Sequence, residues 1–286
     1  MILRSPVNRI GGKYFLRNWI ASTIPEHILY CEPFCGVAHL LFSKEPSKVE
    51  IINDIDSHLI NFFRVIKDHE NRQRLVEMIE YLPYSRKLWQ EIRENWKRGN
   101  IPQDEIERVA QWFYLNRSTY GADMRRGGFA VPSTTGRNPA QSFRTATDTF
   151  EVVSERLRNV CIENLDYAEC IRRYDSESTL FFIDCPYYGS EGYYGNSFCQ
   201  DDHYKLSEIL HKVKGKVMIS HYGNSLYDIL YQGWNRFEYS SFKGSSKAEP
   251  GAEKPKTIEC LWTNFEPEAE ALTDLSATQY GEQKSS

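Results

Sequence analysis

Asp184, Cys185, Pro186 and Tyr187 follow one another directly after the apolar run Leu180-Phe181-Phe182-Ile183. An acid just past a buried strand faces the crevice where open α/β sheets hold their ligands. Pro186 stiffens the turn and pushes Cys185 towards extended backbone. Tyr187 then sets an aromatic ring beside the carboxylate. This pairing suits a flat base that carries an NH2 group, because the ring can stack while Asp184 accepts a hydrogen bond from the amine. The same four residues also fit an ordinary strand end with a turn tyrosine.

A second constellation lies near the amino terminus. In Glu32-Pro33-Phe34-Cys35-Gly36-Val37-Ala38, the small residues at 36 and 38 would let a ligand approach the backbone at a helix N-terminus. The spacing is not G-x-G-x-x-G, so the dinucleotide fingerprint fails. Asp54 ends the next apolar run, where an acid can accept from ribose hydroxyls or cap a helix. Gly11-Gly12-Lys13 puts a cation on a flexible turn and by itself reads as a surface loop. His221 follows Ser220 at a strand end, and no H-E-x-x-H spacing accompanies it. The seven cysteines form no C-x-x-C pair, which argues against a disulfide framework and a closed zinc site. Reduced thiols and a cytoplasmic location are the expectation, with Cys31 and Cys35 as packing residues.

These groups need a sheet to position them. The short strands expected at Tyr30–Phe34 and Val49–Asn53, with a helix start over Val37–Ser43 between them, make a strand-helix-strand opening of a parallel α/β sheet. Residues 57 to 116 turn helical, with Ile60, Phe63 and Ile66 recurring at helical spacing. Residues 117–144 break that pattern, and Arg126-Gly127-Gly128-Phe129 reads as a hairpin turn. A helix near 146–158 precedes further strands at Val160–Glu163, Leu180–Asp184, Lys216–Ser220, Phe237–Ser240 and Ile258–Thr263, with helices over 201–213 and 223–231. The expected organisation is a catalytic domain formed by 1–56 and 146–265, an insert at 57–145, and a disordered acidic tail at 266–286. The net charge is -4, but segment 117–144 holds five Arg against one Asp. A basic face of that kind can bind phosphate whatever the global sum. Apolar runs reach only four or five residues, far short of the ~20 that span a bilayer, so no membrane is expected.

Taken in order, these motifs resemble the Dam-type DNA adenine methyltransferases. Asn8-Arg9-Ile10-Gly11-Gly12-Lys13-Tyr14 resembles the family's G-G-K segment, Glu32-Pro33-Phe34-Cys35-Gly36 its E-P-F-x-G motif and Asn53-Asp54-Ile55-Asp56 the acidic end of its second strand. Leu115-Asn116-Arg117 with Gly128-Phe129-Ala130-Val131-Pro132 resembles its L-N-R and G-x-F-N-V-P hairpin. Asp166-Tyr167 resembles the pair beside the cofactor's adenine, Asp184-Cys185-Pro186-Tyr187 resembles D-P-P-Y, and Glu259 to Asn264 resembles the closing strand. The resemblance covers about 4–265.

The resemblance implies a Rossmann-like α/β methyltransferase sheet with helices on both faces and a helical, hairpin-bearing DNA-recognition insert. It implies a restriction-modification or similar site-specific enzyme that moves a methyl group from S-adenosyl-L-methionine to adenine N6 in double-stranded DNA, with base flipping. Asp184, Cys185, Pro186 and Tyr187 would be catalytic. Lys13, Glu32, Phe34, Gly36, Asp54, Asp166, Tyr167 and Asp184 would surround the cofactor. Asn116, Arg117, Arg125, Arg126 and Arg137 would face DNA. No metal is required, and a monomer is expected. Cys185 stands where the family has its first Pro, which removes stiffness but keeps the backbone carbonyl. Ala38 stands where a second Gly is common, and Ala130 where Asn is common. Cytosine-N4 methylation, amine methylation on RNA or protein, and a non-catalytic DNA-binding relative remain the alternatives.

Overall fold

A computed structural model describes residues 3–9, 11, 13, 16–189, 198–242 and 256–267. Ile10, Gly12 and Tyr14 of the first motif, the loop at 244–247, and the expected tail from 268 onward lie outside the described residues.

The strands are β1 (Leu29–Glu32), β2 (Val49–Asn53), β3 (Val160–Glu163), β4 (Thr179–Ile183), β5 (Lys216–Tyr222), β6 (Asn235–Phe242) and β7 (Lys256–Thr263). Among the described residues they form a seven-stranded sheet in the order β3-β2-β1-β4-β5-β7-β6. β1 pairs in parallel with both β2 and β4, and β4 pairs in parallel with β5. β7 runs antiparallel between β5 and β6. Every residue of β4 is buried, as expected of a near-continuous apolar strand covered on both faces. The strand order reverses between β1 and β4, and a crevice opens beyond the carboxyl ends of strands at such a switch point. Glu32 ends β1, Pro33 and Phe34 follow it, and Asp184 to Tyr187 stand directly after β4.

The chain divides into two compact units. One comprises Met1–Gly12, Gly36–Ser43 and Asp54–Asn164, the other Lys13–Cys35, Lys44–Asn53 and Leu165–Ser286. The expected insert 57–145 lies inside the first unit. That unit packs α2 (Ser57–Lys67), α3 (His69–Glu80), α4 (Arg86–Lys97), α5 (Glu105–Ser118), α6 (Pro139–Asp148) and α7 (Phe150–Leu157). Its core centres on Phe62 stacked with Phe113 at 5.4 Å, with the edge of Phe150 against both. In the second unit, Cys170 and Ile171 of α8 (Tyr167–Tyr174), Leu206 and Leu210 of α9 (Gln200–Leu210) and Tyr227 of α10 (Ser225–Leu230) cover Phe181, Ile183, Val217 and Ile219 of the sheet. Trp19 of α1 (Arg17–Ser22) meets Tyr239 of β6 at 5.3 Å.

Three local expectations are corrected. Residues 33–43 form consecutive turns rather than a helix starting at Val37. Gly36 and Ala38 have φ of 49° and 55°, which a right-handed helix does not admit. The helix expected at 146–158 is two helices, and α6 begins at Pro139 behind an Asn138 N-cap. Proline is pre-organised for that first helical position, so the polar segment ends earlier than its composition suggests. The Asp that caps α2 is Asp56, whose carboxylate accepts from the His58 and Leu59 N–H groups; Asp54 does not serve as that cap.

Candidate active site

Asp184 sits one residue beyond β4, with its side chain 23% exposed. Its Oδ1 accepts from the Lys13 ammonium at 2.7 Å and from the Ser220 hydroxyl at 3.2 Å. The same Lys13 Nζ lies 4.3 Å from the centroid of the Tyr187 ring. Lys13, Asp184 and Tyr187 all belong to the second unit, and the structure brings them into one cluster. From its turn, Lys13 alone gave no such signal.

Tyr187 is buried and held from several sides. Its hydroxyl donates to Glu259 Oε2 at 2.8 Å. Its ring stacks on His221 at 4.3 Å and meets the edge of Tyr222 at 4.7 Å. The antiparallel register explains why these residues meet, since Tyr222 lies opposite Glu259 and His221 opposite Cys260. Burial is the main cause that raises the carboxyl pKa of Glu259, with the Lys13 charge and the Tyr187 hydrogen bond opposing it. The Cys185 thiol is also buried and pushed up to about 12, again mainly by desolvation. Its Sγ lies 3.2 Å from the Tyr227 hydroxyl. Such a thiol is no nucleophile. Ser220 and Glu259 carry no local signal that marks them as site residues in the sequence; only the pairing of β5 with β4 and β7 reveals them.

A second aromatic group lies past β1. Phe34 stacks on Tyr167 at 5.2 Å, and Phe198 meets Phe34 at 5.6 Å and Tyr167 at 5.7 Å. Asp166 caps α8 by accepting the Ala168 N–H. A cavity of about 450 Å³ is lined by Asp166, Tyr167, Asp202, Lys205 and Glu208. Glu32 is buried and accepts the Tyr30 hydroxyl at 2.8 Å, so one of its oxygens serves β1 itself. The residues of this unit fit an adenosine-bearing group: stacked rings offer a π-face, and Asp166 retains acceptor capacity beyond its capping bond.

In the first unit, Asp54 Oδ2 accepts the Gly36 N–H at 2.9 Å and lies 3.5 Å from Arg9 Nη1. Its Oδ1 accepts the Asp56 N–H. Asp54 thereby holds the left-handed turn at Gly36, and a carboxylate with about four acceptor sites keeps room for a hydroxyl. Asn116 is buried and pairs twice with Asn8, accepting its N–H and donating to its carbonyl. Arg117 donates to both the carbonyl and the hydroxyl of Ser142, and burial lowers its pKa. Both residues brace the unit. Arg125, Arg126 and Arg137 are exposed on the loop closed by the Thr119–Phe129 bridge and its continuation. Among the described residues, no group of three or more His, Cys, Asp or Glu is arranged to hold a metal ion, and no helix is long and apolar enough to cross a membrane.

Residues 10–244 match the model of the D12 class N6 adenine-specific DNA methyltransferases. The chain is 27% identical to a Type II methyltransferase of Lactococcus lactis subsp. cremoris, over 89% of this chain and 93% of that one. It is 28% identical to a Type II methyltransferase of Methanocaldococcus jannaschii, over 79% and 86% respectively. A DNA adenine methylase of Vibrio cholerae is 25% identical over 88% of this chain and 94% of its own.

Proposed function

The chain belongs to the D12 class N6 adenine-specific DNA methyltransferase family, and from that premise we propose that Asp184 and Tyr187 hold the target adenine, with S-adenosyl-L-methionine as methyl donor and duplex DNA as the form acted on. The protein is an adenine-specific DNA methyltransferase, so adenine N6 is the acceptor among the alternatives that the residues had left open.

One observation supports the assignment most directly. A single nitrogen, Lys13 Nζ, lies both 2.7 Å from the Asp184 carboxylate and 4.3 Å from the Tyr187 ring centroid. A group over that ring is therefore within hydrogen-bonding reach of that carboxylate. This is the geometry required by a stacked base with an exocyclic amine.

The amine of adenine is a poor nucleophile because its lone pair is delocalised into the ring. Asp184 accepts one N–H and the Cys185 carbonyl accepts the other, which draws the nitrogen towards sp³ and localises the pair. S-adenosyl-L-methionine supplies a methyl group on a sulfonium, open to displacement without a covalent enzyme intermediate. Tyr167, Phe34 and Asp166 are the residues that would hold its adenosine end. Asp184 acts first as a hydrogen-bond acceptor, and fixed acceptors aimed at the reacting nitrogen need no reorganisation during the step.

A base inside a duplex cannot reach a carboxylate beyond a strand end, so it is extruded at a cost of a few kcal/mol. Stacking on Tyr187 offsets roughly 1–3 kcal/mol of that, by analogy with base–aromatic contacts in single-strand binders. The test is Asp184→Ala, assayed with radiolabelled S-adenosyl-L-methionine and duplex DNA. Methyl transfer should vanish while cofactor binding persists. Near-normal turnover would refute the role.

A further inference from the structure

The carboxyl end of β5 carries a histidine to which the reaction above assigns no part. His221 is 1% exposed. Its imidazole is stacked with Tyr187 at 4.3 Å and 25°, and with Tyr227 at 3.8 Å and 27°. Two rings so close to one imidazole cannot occupy the same face, so His221 lies between them. Its Nε2 accepts the Tyr188 backbone N–H at 2.7 Å. Its Nδ1 lies 2.8 Å from the Tyr222 carbonyl, which can only accept. The proton therefore sits on Nδ1, and Nε2 carries the lone pair that Tyr188 needs. Burial, the largest cause, holds the imidazole pKa down at about 3, so the ring stays neutral and Nε2 stays an acceptor near neutral pH.

The turn it touches has few restraints of its own. Within Asp184-Cys185-Pro186-Tyr187-Tyr188 only Pro186 has a fixed φ. The other restraints come from outside the turn. Ser220 bonds Asp184, Tyr227 approaches Cys185, and His221 contacts both Tyr187 and Tyr188. The Tyr227 hydroxyl is itself fixed by His203 Nδ1 at 2.8 Å, so the far side of the stack is anchored.

We propose that His221 is a positioning residue for methyl transfer. Its ring sets the plane of Tyr187, its Nε2 pins the chain at Tyr188, and together they hold the aromatic plate in register with the Asp184 carboxylate. His221 covers one face of Tyr187 and the Lys13 ammonium lies over the other, so a base stacks on the Lys13 side, in place of the ammonium. This inference rests on the assignment of Asp184 and Tyr187 made above.

Three variants separate its two contacts. His221→Phe keeps a ring and loses the acceptor. His221→Gln keeps an acceptor and loses the ring. His221→Ala loses both. The substrate is DNA from a host lacking adenine methylation, with radiolabelled S-adenosyl-L-methionine; rate, KM for DNA and cofactor dissociation constant are measured per folded molecule, with folded fraction from circular dichroism. A misplacement of about 1 Å can cost about 100-fold in rate. His221→Ala should fall by about that factor in kcat, and His221→Phe and His221→Gln by about tenfold each. The DNA KM and cofactor dissociation constant should stay within about twofold of the parent protein. Turnover of His221→Ala within about twofold of the parent overturns the proposal. So does a loss confined to KM, or one accounted for wholly by a smaller folded fraction. Asp184→Ala in the same assay separates the two levels: if it remains active the underlying assignment fails, and if it is dead while His221→Ala is active only this inference fails.

Discussion

The Tyr187 side chain is held at its tip by Glu259 and along its face by His221, so a substitution there has two separable consequences. Removing only the hydroxyl leaves a buried carboxylate without its donor, which costs about 1–3 kcal/mol. Tyr187→Phe should therefore lose stability in thermal unfolding yet keep more methyl transfer than Tyr187→Ala. Adding Glu259→Gln to Tyr187→Phe should recover part of the stability. If Phe and Ala substitutions cost the same activity, the hydroxyl rather than the ring face is what matters. Two buried ionisable groups beside the ring, Glu259 and His221, also set pH dependences of opposite sign. Burial raises the Glu259 carboxyl, so the folded chain binds its proton more tightly and its contribution to stability declines as pH rises above the usual carboxylate value. His221 is depressed from 6.5 to about 3, so its contribution is full above about 6.5 and is lost as pH falls towards 3. His221→Phe should flatten the acid limb of a stability–pH profile, and Glu259→Gln the decline on the other side. An unchanged acid limb in His221→Phe would assign that limb to other groups.

The elements differ in how openly their sequences announce them. β2 and β3 coincide with the apolar runs read at Val49–Asn53 and Val160–Glu163, and β4 falls within a residue of its run. The turn at 33–43 was hidden because Val37 to Ser43 has an apolar composition compatible with helix. What excludes the helix is the left-handed backbone at Gly36 and Ala38, tied down by Asp54 from eighteen positions away. In place of the expected hairpin turn at 126–129, an isolated bridge between Thr119 and Phe129 closes a loop, and that loop depends on one glycine in particular. A Cβ at Gly127 would come within 2.6 Å of Thr119 Cγ2, 2.7 Å of the Asp123 carbonyl and 2.8 Å of the Tyr120 carbonyl. Two of these atoms belong to the backbone, so relief requires the loop itself to move. Gly127→Ala should loosen residues 119–129, seen as faster amide exchange there, and weaken DNA binding in a gel shift. Unchanged exchange would mean that the loop tolerates the methyl group.

Over the whole molecule, charge is distributed unevenly. A chain of net charge -4 concentrates five Arg at 117–144, and these five do not have one role. Arg117 is half-buried and donates to Ser142; Arg144 and Arg137 are exposed and donate to the Ile79 and Val131 carbonyls; Arg125 and Arg126 are exposed on the loop between them. Replacing Arg125, Arg126 or Arg137 by Ala at a phosphate-contacting position should flatten the log–log salt dependence of DNA affinity by about one unit. Arg117→Ala should instead lower the unfolding temperature and leave that slope alone. A flattened slope for Arg117→Ala would show that it reaches DNA after all.

The order of short motifs, from the carboxylate and ring at 184–187 back to the acidic strand end at 54, carried the resemblance to the family, because each motif is contiguous and its chemistry follows from residue type, while the same residues left the accepting amine open. β4 was the most legible strand, because burial on both faces writes itself as an unbroken apolar run. Which groups surround the Tyr187 ring was settled by tertiary structure alone. Lys13, Ser220, His221 and Glu259 are scattered over nearly the whole chain; Ser220, His221 and Glu259 meet because β5 lies between β4 and an antiparallel β7, and Lys13 reaches them from the N-terminal turn. Register and strand order are properties of the sheet, and local sequence carries no record of them.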